Sequence, residues 1–299
     1  MNNSSPTVVV LLAAYDGKVF IGEQVDSIFN QLEVKVYLFI SVDLSTDGTY
    51  EWCEKLEKEH DNVTVLVYGE RFGGAAKNFF RLIKDVDVSK FDYIAFADQD
   101  DVWFPDKISH GIKQMRINNA EAYSANVIAF WADGREKLIN KSQQQTELDY
   151  LFEAAGPGCA YLFTNKSATI IKKYLNKFPE LDNFVLHDWL SYAILRHNQF
   201  IWFIDPIPKM RYRQHEANQV GANVSLKGMV YRLCYIFSGQ AFDSISILVK
   251  VLNIPNIQFS SRKDIFKLAL KARKLRRRGV DQLIAFIALL LYAIKGPNK

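Results

Sequence analysis

The sequence predicts an α/β fold, in which helices flank a mostly parallel β-sheet and a helical appendage follows at the C-terminus. In the first hundred residues, apolar strand patterns alternate four times with helical patterns. These strand patterns are apolar on both faces, which is typical of parallel strands covered by two layers of helices. Beyond Ser225 only helical patterns remain. We therefore expect two domains, residues 1–224 and residues 225–299.

The individual elements follow from the period of the apolar residues. The strands predicted in the alternating region are 7–13, 35–42, 63–68 and 91–97. Later strand patterns occur at 126–131, 160–164, 200–204 and 209–213, and later helical patterns at 105–119, at 166–177 and from 187 onward. Asn165 precedes one of these helices, and asparagine is a preferred N-cap residue, so we expect it to cap that helix.

The composition narrows the class of protein. Apolar residues make up 49% of the 299 positions, which is enough for a large buried core. The three cysteines, at 53, 159 and 234, form neither a disulfide framework nor a zinc-ligand spacing, which favours a reducing compartment. The N-terminal residues lack the basic region of a signal peptide, so we expect a cytoplasmic protein.

The fourth predicted strand leads directly into an acidic cluster. Asp98, Asp100 and Asp101 follow the apolar run 93–97, and like charges at the end of a buried strand repel one another. A hard cation relieves such repulsion, and Mg²⁺ or Mn²⁺ binds carboxylates together with substrate phosphates. The alternative is a solvated acidic turn. Ligands of parallel α/β folds bind at the carboxyl ends of the strands, and the other ends here carry Ala14, Tyr15, Asp43 and Arg71.

Six short motifs occur in order along the first 220 residues. They are LLAAYDG at 11–17, SVDLSTDGT at 41–49, DQDDVW at 98–103, GPGC at 156–159, HDW at 187–189 and YRQH at 212–215. This set resembles the inverting GT-A glycosyltransferases of family 2, and in particular the rhamnosyltransferase-like branch that builds bacterial surface polysaccharides. The resemblance implies a Rossmann-like GT-A domain, a nucleotide-sugar donor and a divalent metal cofactor.

The resemblance also implies roles for the acidic residues. Asp43 would bind the nucleotide base, although Val42 and Leu44 stand where the usual turn has aspartate and glycine. Asp100 would be the first metal ligand. Asp98 would face the same way as Asp100 on an extended chain and hold the ribose or the metal, whereas Asp101 would face the opposite side. Ala14, Tyr15 and Arg71 would complete the donor site.

The remaining candidates lie later in the chain. Inverting transfer is a single displacement that needs one base, and we assign Asp188, whose alternative role is a helix N-cap. Its neighbours His187 and Trp189 are expected to pack. Arg211, Arg213 and His215 alternate on a predicted strand and therefore share a face suited to a diphosphate. His215 is also a candidate metal ligand.

The leading hypothesis is transfer of a sugar, L-rhamnose from dTDP-rhamnose, onto a polyprenyl-diphosphate-linked oligosaccharide in O-antigen or related lipopolysaccharide synthesis. One alternative keeps the fold but uses a UDP-hexose or UDP-N-acetylhexosamine donor. A second alternative is a non-catalytic scaffold in a polysaccharide assembly complex.

The C-terminal region differs from the body in charge. From Ser225 onward there are 14 Lys/Arg and 3 Asp/Glu, a net +11, so the first 224 residues carry −7. Six positive charges lie within 271–278, and twelve unbroken apolar residues follow at 283–294. Since a span needs about 20 apolar residues, we expect peripheral association with the anionic inner face of the plasma membrane. The alternative is a helix packed on the body of the protein or on a second subunit of a homo-oligomer. Base-stacking aromatics are absent from 271–278, so nucleic acid is not expected as a partner.

Overall fold

The computed structural model describes residues 5–215, 240–255, 257, 259 and 261–296. The chain divides into two compact units: the first unit is Met1–Ser142 with Ala155–Gly221, and the second unit is Gln143–Ala154 with Ala222–Lys299. The boundary predicted between residues 224 and 225 lies outside the described residues.

The strands are β1 Thr7–Ala14, β2 Lys35–Val42, β3 Val63–Val65, β4 Tyr93–Asp98, β5 Val102–Trp103, β6 Ala122–Ala125, β7 Val127–Trp131, β8 Glu136–Ile139, β9 Leu162–Thr164, β10 Trp202–Asp205 and β11 Met210–Gln214. The helices are α1 Ile21–Phe29, α2 Thr49–Glu59, α3 Ala75–Asp85, α4 Lys107–Ile117, α5 Asn165–Lys177, α6 His187–His197, α7 Gln240–Val251, α8 Arg262–Ala269, α9 Ala272–Leu275 and α10 Gly279–Lys295.

The main sheet of the first unit has seven strands in the order β10-β6-β9-β4-β1-β2-β3. β1 lies between β2 and β4 and pairs with both in parallel, and β9 is antiparallel to β4 and to β6. The side chains of Val8 to Leu12 in β1 have no exposed surface, because helices cover the sheet. The predicted α/β class with a mostly parallel sheet is confirmed.

A second sheet of the first unit has the order β5-β11-β7-β8. β5 begins directly after Asp101 and pairs antiparallel with β11, where Met210 lies opposite Trp103. This register places Arg213 and His215 beside the acidic cluster. The sequence patterns did not predict β5, β6 or β8.

Two local expectations are wrong. β3 ends at Val65 rather than at Tyr68. Asn165 does not cap α5: the N-cap is Thr164, whose hydroxyl accepts from the Ser167 N–H at 3.3 Å. The Asn165 amide instead donates to the carbonyls of Val88 and Phe91, at 2.6 and 3.0 Å, so it fastens the turn that precedes β4.

In the second unit, the segment Gln143–Ala154 supplies acidic partners for the basic residues near α9. Arg277 has no exposed side-chain surface and lies 3.4 Å from the Asp149 carboxylate and 3.3 Å from that of Glu153. Arg276 donates to the Phe152 carbonyl at 2.7 Å. Two of the six cations in 271–278 are therefore structural. No helix among the described residues is both long and apolar enough to span a bilayer.

Candidate active site

The parallel pairing of β1, β2 and β4 brings three strand ends together at one edge of the main sheet. Ala13 is in register with Asp98, and Ala14 with Val42. The Ala14 carbonyl accepts from the Asp43 N–H at 2.8 Å. Residues from three separate motifs therefore meet at this edge, as expected for a parallel α/β sheet.

The acidic cluster occupies the end of β4. One ligand atom from each of Asp98, Asp101 and Cys159 lies within 4.8 Å of the others. The expectation that Asp101 faces away from Asp98 is wrong. The extended chain ends at Asp98 and turns at Gln99 and Asp100, so strand alternation does not continue through the motif.

The carboxylates of this cluster are buried together and repel one another. Burial, together with the charge of Asp100, raises the pKa of Asp98 to about 7. Burial and the charges of Asp100 and Asp98 raise the pKa of Asp101 well above its usual range. Among the described residues, no N–H or O–H group donates to Asp101 Oδ2, and the Cys159 thiol lies beside it. Buried carboxylates this close to one another fit a divalent cation, which would relieve their repulsion.

His215 and Arg213 hold the acidic turn from the side of β11. The His215 Nε2 lies 2.7 Å from Asp100 Oδ2, and its ring stacks on Phe20 with the centroids 4.9 Å apart. The Arg213 Nε donates to the Asp100 carbonyl at 2.7 Å, and its backbone N–H donates to Asp101 Oδ1 at 3.1 Å. The donor atoms of Asp100 and His215 are close enough to share one cation.

The two arginines share a face, as predicted, but they have different partners. Their guanidinium carbons lie over the Phe130 ring, at 5.7 Å for Arg211 and 4.6 Å for Arg213. Arg213 forms an ion pair with Glu23, and Arg211, which is about half exposed, forms one with Glu136 on β8. Arg213 therefore contacts the acidic turn, whereas Arg211 pairs with Glu136 outside it.

Asp43 organises the segment that precedes α3. Its Oδ1 accepts from the backbone N–H groups of Leu44 and Phe72, both at 2.8 Å, and its Oδ2 accepts from that of Gly73 at 2.9 Å. A carboxylate has about four acceptor positions, so one remains on Oδ2 for a ligand. Arg71 directly precedes Phe72 and is exposed, so the Asp43 contacts bring it to the end of β2.

Gln99 is a residue of this site that the sequence did not indicate. Its amide forms two hydrogen bonds with the Tyr15 backbone: Oε1 accepts from the N–H at 2.8 Å, and Nε2 donates to the carbonyl at 2.7 Å. A Cβ at Gly17 would lie 1.9 Å from Gln99 Oε1, so a larger residue there would displace the amide from the Tyr15 backbone. The sequence feature that could have indicated this role is an amide side chain between two aspartates. A side-chain amide can donate to and accept from the same backbone residue.

Asp188 lies in the first turn of α6, and its carboxylate accepts from the Trp189 N–H at 2.7 Å. It is not the N-cap residue, which is Leu186. Burial raises the pKa of Asp188 to about 6, against the opposing effects of the Trp189 N–H and the Lys141 charge. Its charge also contributes to the raised pKa of Asp98, so the two carboxylates lie close enough to interact. A carboxylate with a pKa near neutrality suits a general base.

The neighbours of Asp188 pack, as expected. His187 stacks on Phe79 with the ring centroids 3.9 Å apart, and burial lowers its pKa to about 3, so the ring is neutral. A Cβ at Gly158 would lie 2.2 Å from His187 Nε2, which explains the second glycine of the 156–159 turn. That turn carries Cys159 into the acidic cluster.

Lys107 is the second residue that the sequence did not indicate. It begins α4, is only 5% exposed, and holds its ammonium 3.6 Å from the centroid of the Trp103 ring. Burial lowers the pKa of Lys107 to about 8, and the Cys159 thiol and Asp101 oppose this shift. A buried cation therefore lies beside the most deeply buried carboxylate of the cluster. The sequence feature that could have indicated this contact is the short spacing between Trp103, at the end of β5, and Lys107, at the start of α4.

Comparison with known protein families assigns the chain to one of them. The family described as Glycosyl transferase family 2 matches residues 9–176. The chain belongs to this family. It is therefore a glycosyltransferase, and its α/β architecture is the GT-A fold that the six motifs implied.

Two relatives are similar to the chain, and the match to the first extends beyond the family domain. The dTDP-rhamnosyl transferase RfbG of Shigella flexneri is 41% identical over 286 residues, which cover 94% of this chain and 99% of that protein. A putative teichuronic acid biosynthesis glycosyltransferase, TuaG of Bacillus subtilis, is 31% identical over 155 residues, or 50% of this glycosyltransferase and 59% of TuaG.

Two solved structures share the fold. The S. aureus TarS 1–349 structure in complex with UDP has a TM-score of 0.55 at 16% identity, covering 97% of this glycosyltransferase and 87% of that chain. The mannosyltransferase PcManGT from Pyrobaculum calidifontis, in complex with GDP-Man and Mn²⁺, has a TM-score of 0.53 at 14% identity, with coverages of 97% and 87%.

Proposed function

We propose that this glycosyltransferase transfers L-rhamnose from dTDP-rhamnose, with inversion, onto a lipid-linked oligosaccharide in O-antigen synthesis. The observation that carries the proposal is the 41% identity with a dTDP-rhamnosyl transferase, because it extends over nearly the whole of both chains. The motifs of the acidic edge lie within that length. A donor whose diphosphate is the leaving group also fits an edge that concentrates carboxylates suited to a divalent cation.

In the proposed reaction, an acceptor hydroxyl attacks the anomeric carbon of the donor sugar. A new carbon–oxygen bond forms, the bond from that carbon to the diphosphate breaks, and its electron pair leaves with dTDP. Asp188 takes the hydroxyl proton, since its raised pKa makes it a competent base at neutral pH. Because one displacement inverts the anomeric centre, one carboxylate opposite the leaving group is sufficient.

Asp100 and His215 are the residues proposed to hold a divalent metal, Mg²⁺ or Mn²⁺, with Asp98 beside them. When bound, such an ion neutralises charge that develops on the departing diphosphate. Asp101 contributes to the same field from a buried position, and Lys107 offsets its charge. Arg213 keeps the turn in place through the Asp100 carbonyl.

For the donor, we propose that Asp43, Ala14 and Tyr15 receive the nucleotide. The Gln99 amide fixes the Tyr15 backbone, and Asp43 retains one acceptor position for the base N3–H. Arg71, which is exposed beside this site, is available to the diphosphate. Arg211 would have to break its ion pair with Glu136 before it could contact the diphosphate.

We further propose that the acceptor is a polyprenyl-diphosphate-linked oligosaccharide at the cytoplasmic face of the membrane. Support comes from the basic C-terminal region and from a partial relative, WfaP of Escherichia coli, a glucosyltransferase whose name specifies a diphosphoundecaprenol acceptor. That relative is 32% identical over 108 residues, or 36% of this glycosyltransferase and 41% of WfaP.

A donor panel tests the proposal. The full-length protein is incubated with Mn²⁺, a lipid-linked oligosaccharide acceptor, and dTDP-rhamnose, UDP-glucose or UDP-N-acetylglucosamine in turn. Because donor pockets discriminate by paired polar groups, we expect turnover with dTDP-rhamnose to exceed that with either UDP-sugar by at least about 100-fold. Preferred use of a UDP-sugar would replace the donor assignment. Nucleotide binding without any transfer would support a scaffold instead.

A further inference from the structure

The last helix of the second unit has an apolar side that the described residues leave exposed. Along α10, the residues Val280, Leu283, Ile287, Leu291 and Ile294 are 65%, 59%, 47%, 42% and 72% exposed. At about 100° per residue they fall within an arc of about 80°, so they form one continuous strip, which we call the α10 stripe. The opposite side of α10 is buried through Ala288, Leu289, Tyr292 and Ala293.

Positive charge accompanies the α10 stripe. Exposed cations precede α10 along α8, α9 and their connections: Lys263, Lys267, Lys271, Arg273 and Arg278. Arg276 and Arg277 do not belong to this set, because they bind the acidic residues of 149–153. The one carboxylate on α10, Asp281, lies 3.9 Å from Arg276. The exposed part of this segment is therefore apolar and cationic.

We propose that the α10 stripe and the exposed cations before it form a docking surface for an anionic phospholipid bilayer, with α10 lying in the plane of the interface. The inference rests on the proposed membrane location and specifies the surface responsible. An apolar strip takes up acyl chains while lysine and arginine contact anionic headgroups. At about 1.5 Å per residue, the 17 residues of α10 extend about 26 Å. A helix of this length with charged residues near both ends is too short to cross a bilayer.

A bilayer fits this surface better than a second copy of the chain. Two copies that met at the α10 stripe would bring two cationic segments close together. Like charges at an interface oppose association, whereas anionic lipid headgroups attract all of them together. Charge complementarity therefore selects the lipid surface.

Vesicle sedimentation tests the proposal with full-length protein. We expect the wild type to sediment with vesicles that contain phosphatidylglycerol and to bind vesicles of phosphatidylcholine alone much less. The double substitution Leu283→Glu/Ile287→Glu should lower partitioning onto phosphatidylglycerol vesicles at least about tenfold, since it places two charges in the strip. The matched control is Ile117→Glu on α4, where the side chain is 63% exposed, and it should change partitioning less than about twofold.

Further readouts keep the result interpretable. Thermal melts should show that the variants fold like the wild type, because the substituted side chains are exposed. Equal sedimentation of wild type and double variant would overturn the proposal. So would a wild-type dimer, seen by light scattering, that the double substitution converts to a monomer without any change in sedimentation. Transfer to a short water-soluble acceptor is measured separately, so loss of vesicle binding and loss of the proposed activity are distinguishable.

Discussion

The acidic turn of the first unit and the basic segment of the second unit are both dense runs of one charge, and their surroundings differ. Around Asp98, Asp100 and Asp101, carboxylates are buried near one another, and the pKa of Asp98 rises to about 7. Around Arg277, buried guanidinium groups meet Asp149 and Glu153. Charge held without full compensation is characteristic of a functional site, whereas charge paired internally serves the fold.

The largest expected effect concerns the basic segment, where the charge of Arg277 is paired internally. Arg277→Met removes the buried guanidinium that pairs with Asp149 and Glu153 and should lower the free energy of unfolding by about 3–5 kcal/mol. Lys274→Met is the control, since Lys274 and Glu147 form an ion pair with both side chains more than half exposed. That change should cost only about 0–1 kcal/mol. Urea unfolding followed by circular dichroism measures both, and equal losses would contradict the structural role of Arg277.

The next effect concerns the base. Asp188→Asn keeps the size of the side chain but removes its proton acceptor, so kcat should fall at least about 100-fold. Asp133→Asn, at an exposed pair with Arg135, should leave kcat unchanged. Single-turnover transfer from dTDP-rhamnose measures the chemical step. Near-normal turnover in Asp188→Asn would remove it as the base.

The pH profile sharpens the same assignment. The Asp188 pKa is raised from 3.8 to about 6 by burial, despite Lys141 and the Trp189 N–H, so the ionised base predominates only above about pH 6. Log kcat/KM should fall with a slope of about one per pH unit below that value. This acidic limb should be absent from the residual activity of Asp188→Asn. A wild-type profile that is flat from pH 5 to 7 would contradict the assignment.

A smaller effect is expected at Gln99. Gln99→Ala removes both hydrogen bonds to the Tyr15 backbone, each of which contributes about 0.5–1.5 kcal/mol, so kcat/KM for the donor should fall about tenfold. The loss should appear mainly as a higher KM, because the amide positions the donor site rather than the base. Gln114→Ala on α4 is the matched control. Unchanged donor KM in Gln99→Ala would show that Tyr15 holds its position without the amide.

The first four strands were predictable because each is apolar on both faces, a pattern that only a covered parallel sheet explains. β6 was not predictable in the same way. Its four residues, Ala122–Ala125, are all buried but mix small and polar side chains, and their conformation depends on pairing with β9 and β10. Tertiary pairing overrides weak local preference in such short strands.

The site shows the same division. Asp98, Asp100 and Asp188 could be proposed as site residues from the sequence, because they stand in recognisable motifs at a strand end or a helix start. Two of the three donors to the Asp43 carboxylate, by contrast, come from Phe72 and Gly73, about thirty residues later, and no local pattern reveals them. Arg277 finds Asp149 at a separation of 128 residues. Sequence patterns report local geometry, whereas these partners depend on the folded chain.

Binding of Mn²⁺ most directly tests the claim that the closely spaced carboxylates of the acidic turn form a cation site. Electron paramagnetic resonance of free Mn²⁺, in the presence of dTDP, measures its Kd for the wild type, for Asp100→Asn and for Asp133→Asn. Since Asp100 is the proposed ligand, its substitution should raise Kd at least about tenfold, while Asp133→Asn should not change it. A Kd that is the same for wild type and Asp100→Asn would contradict the account.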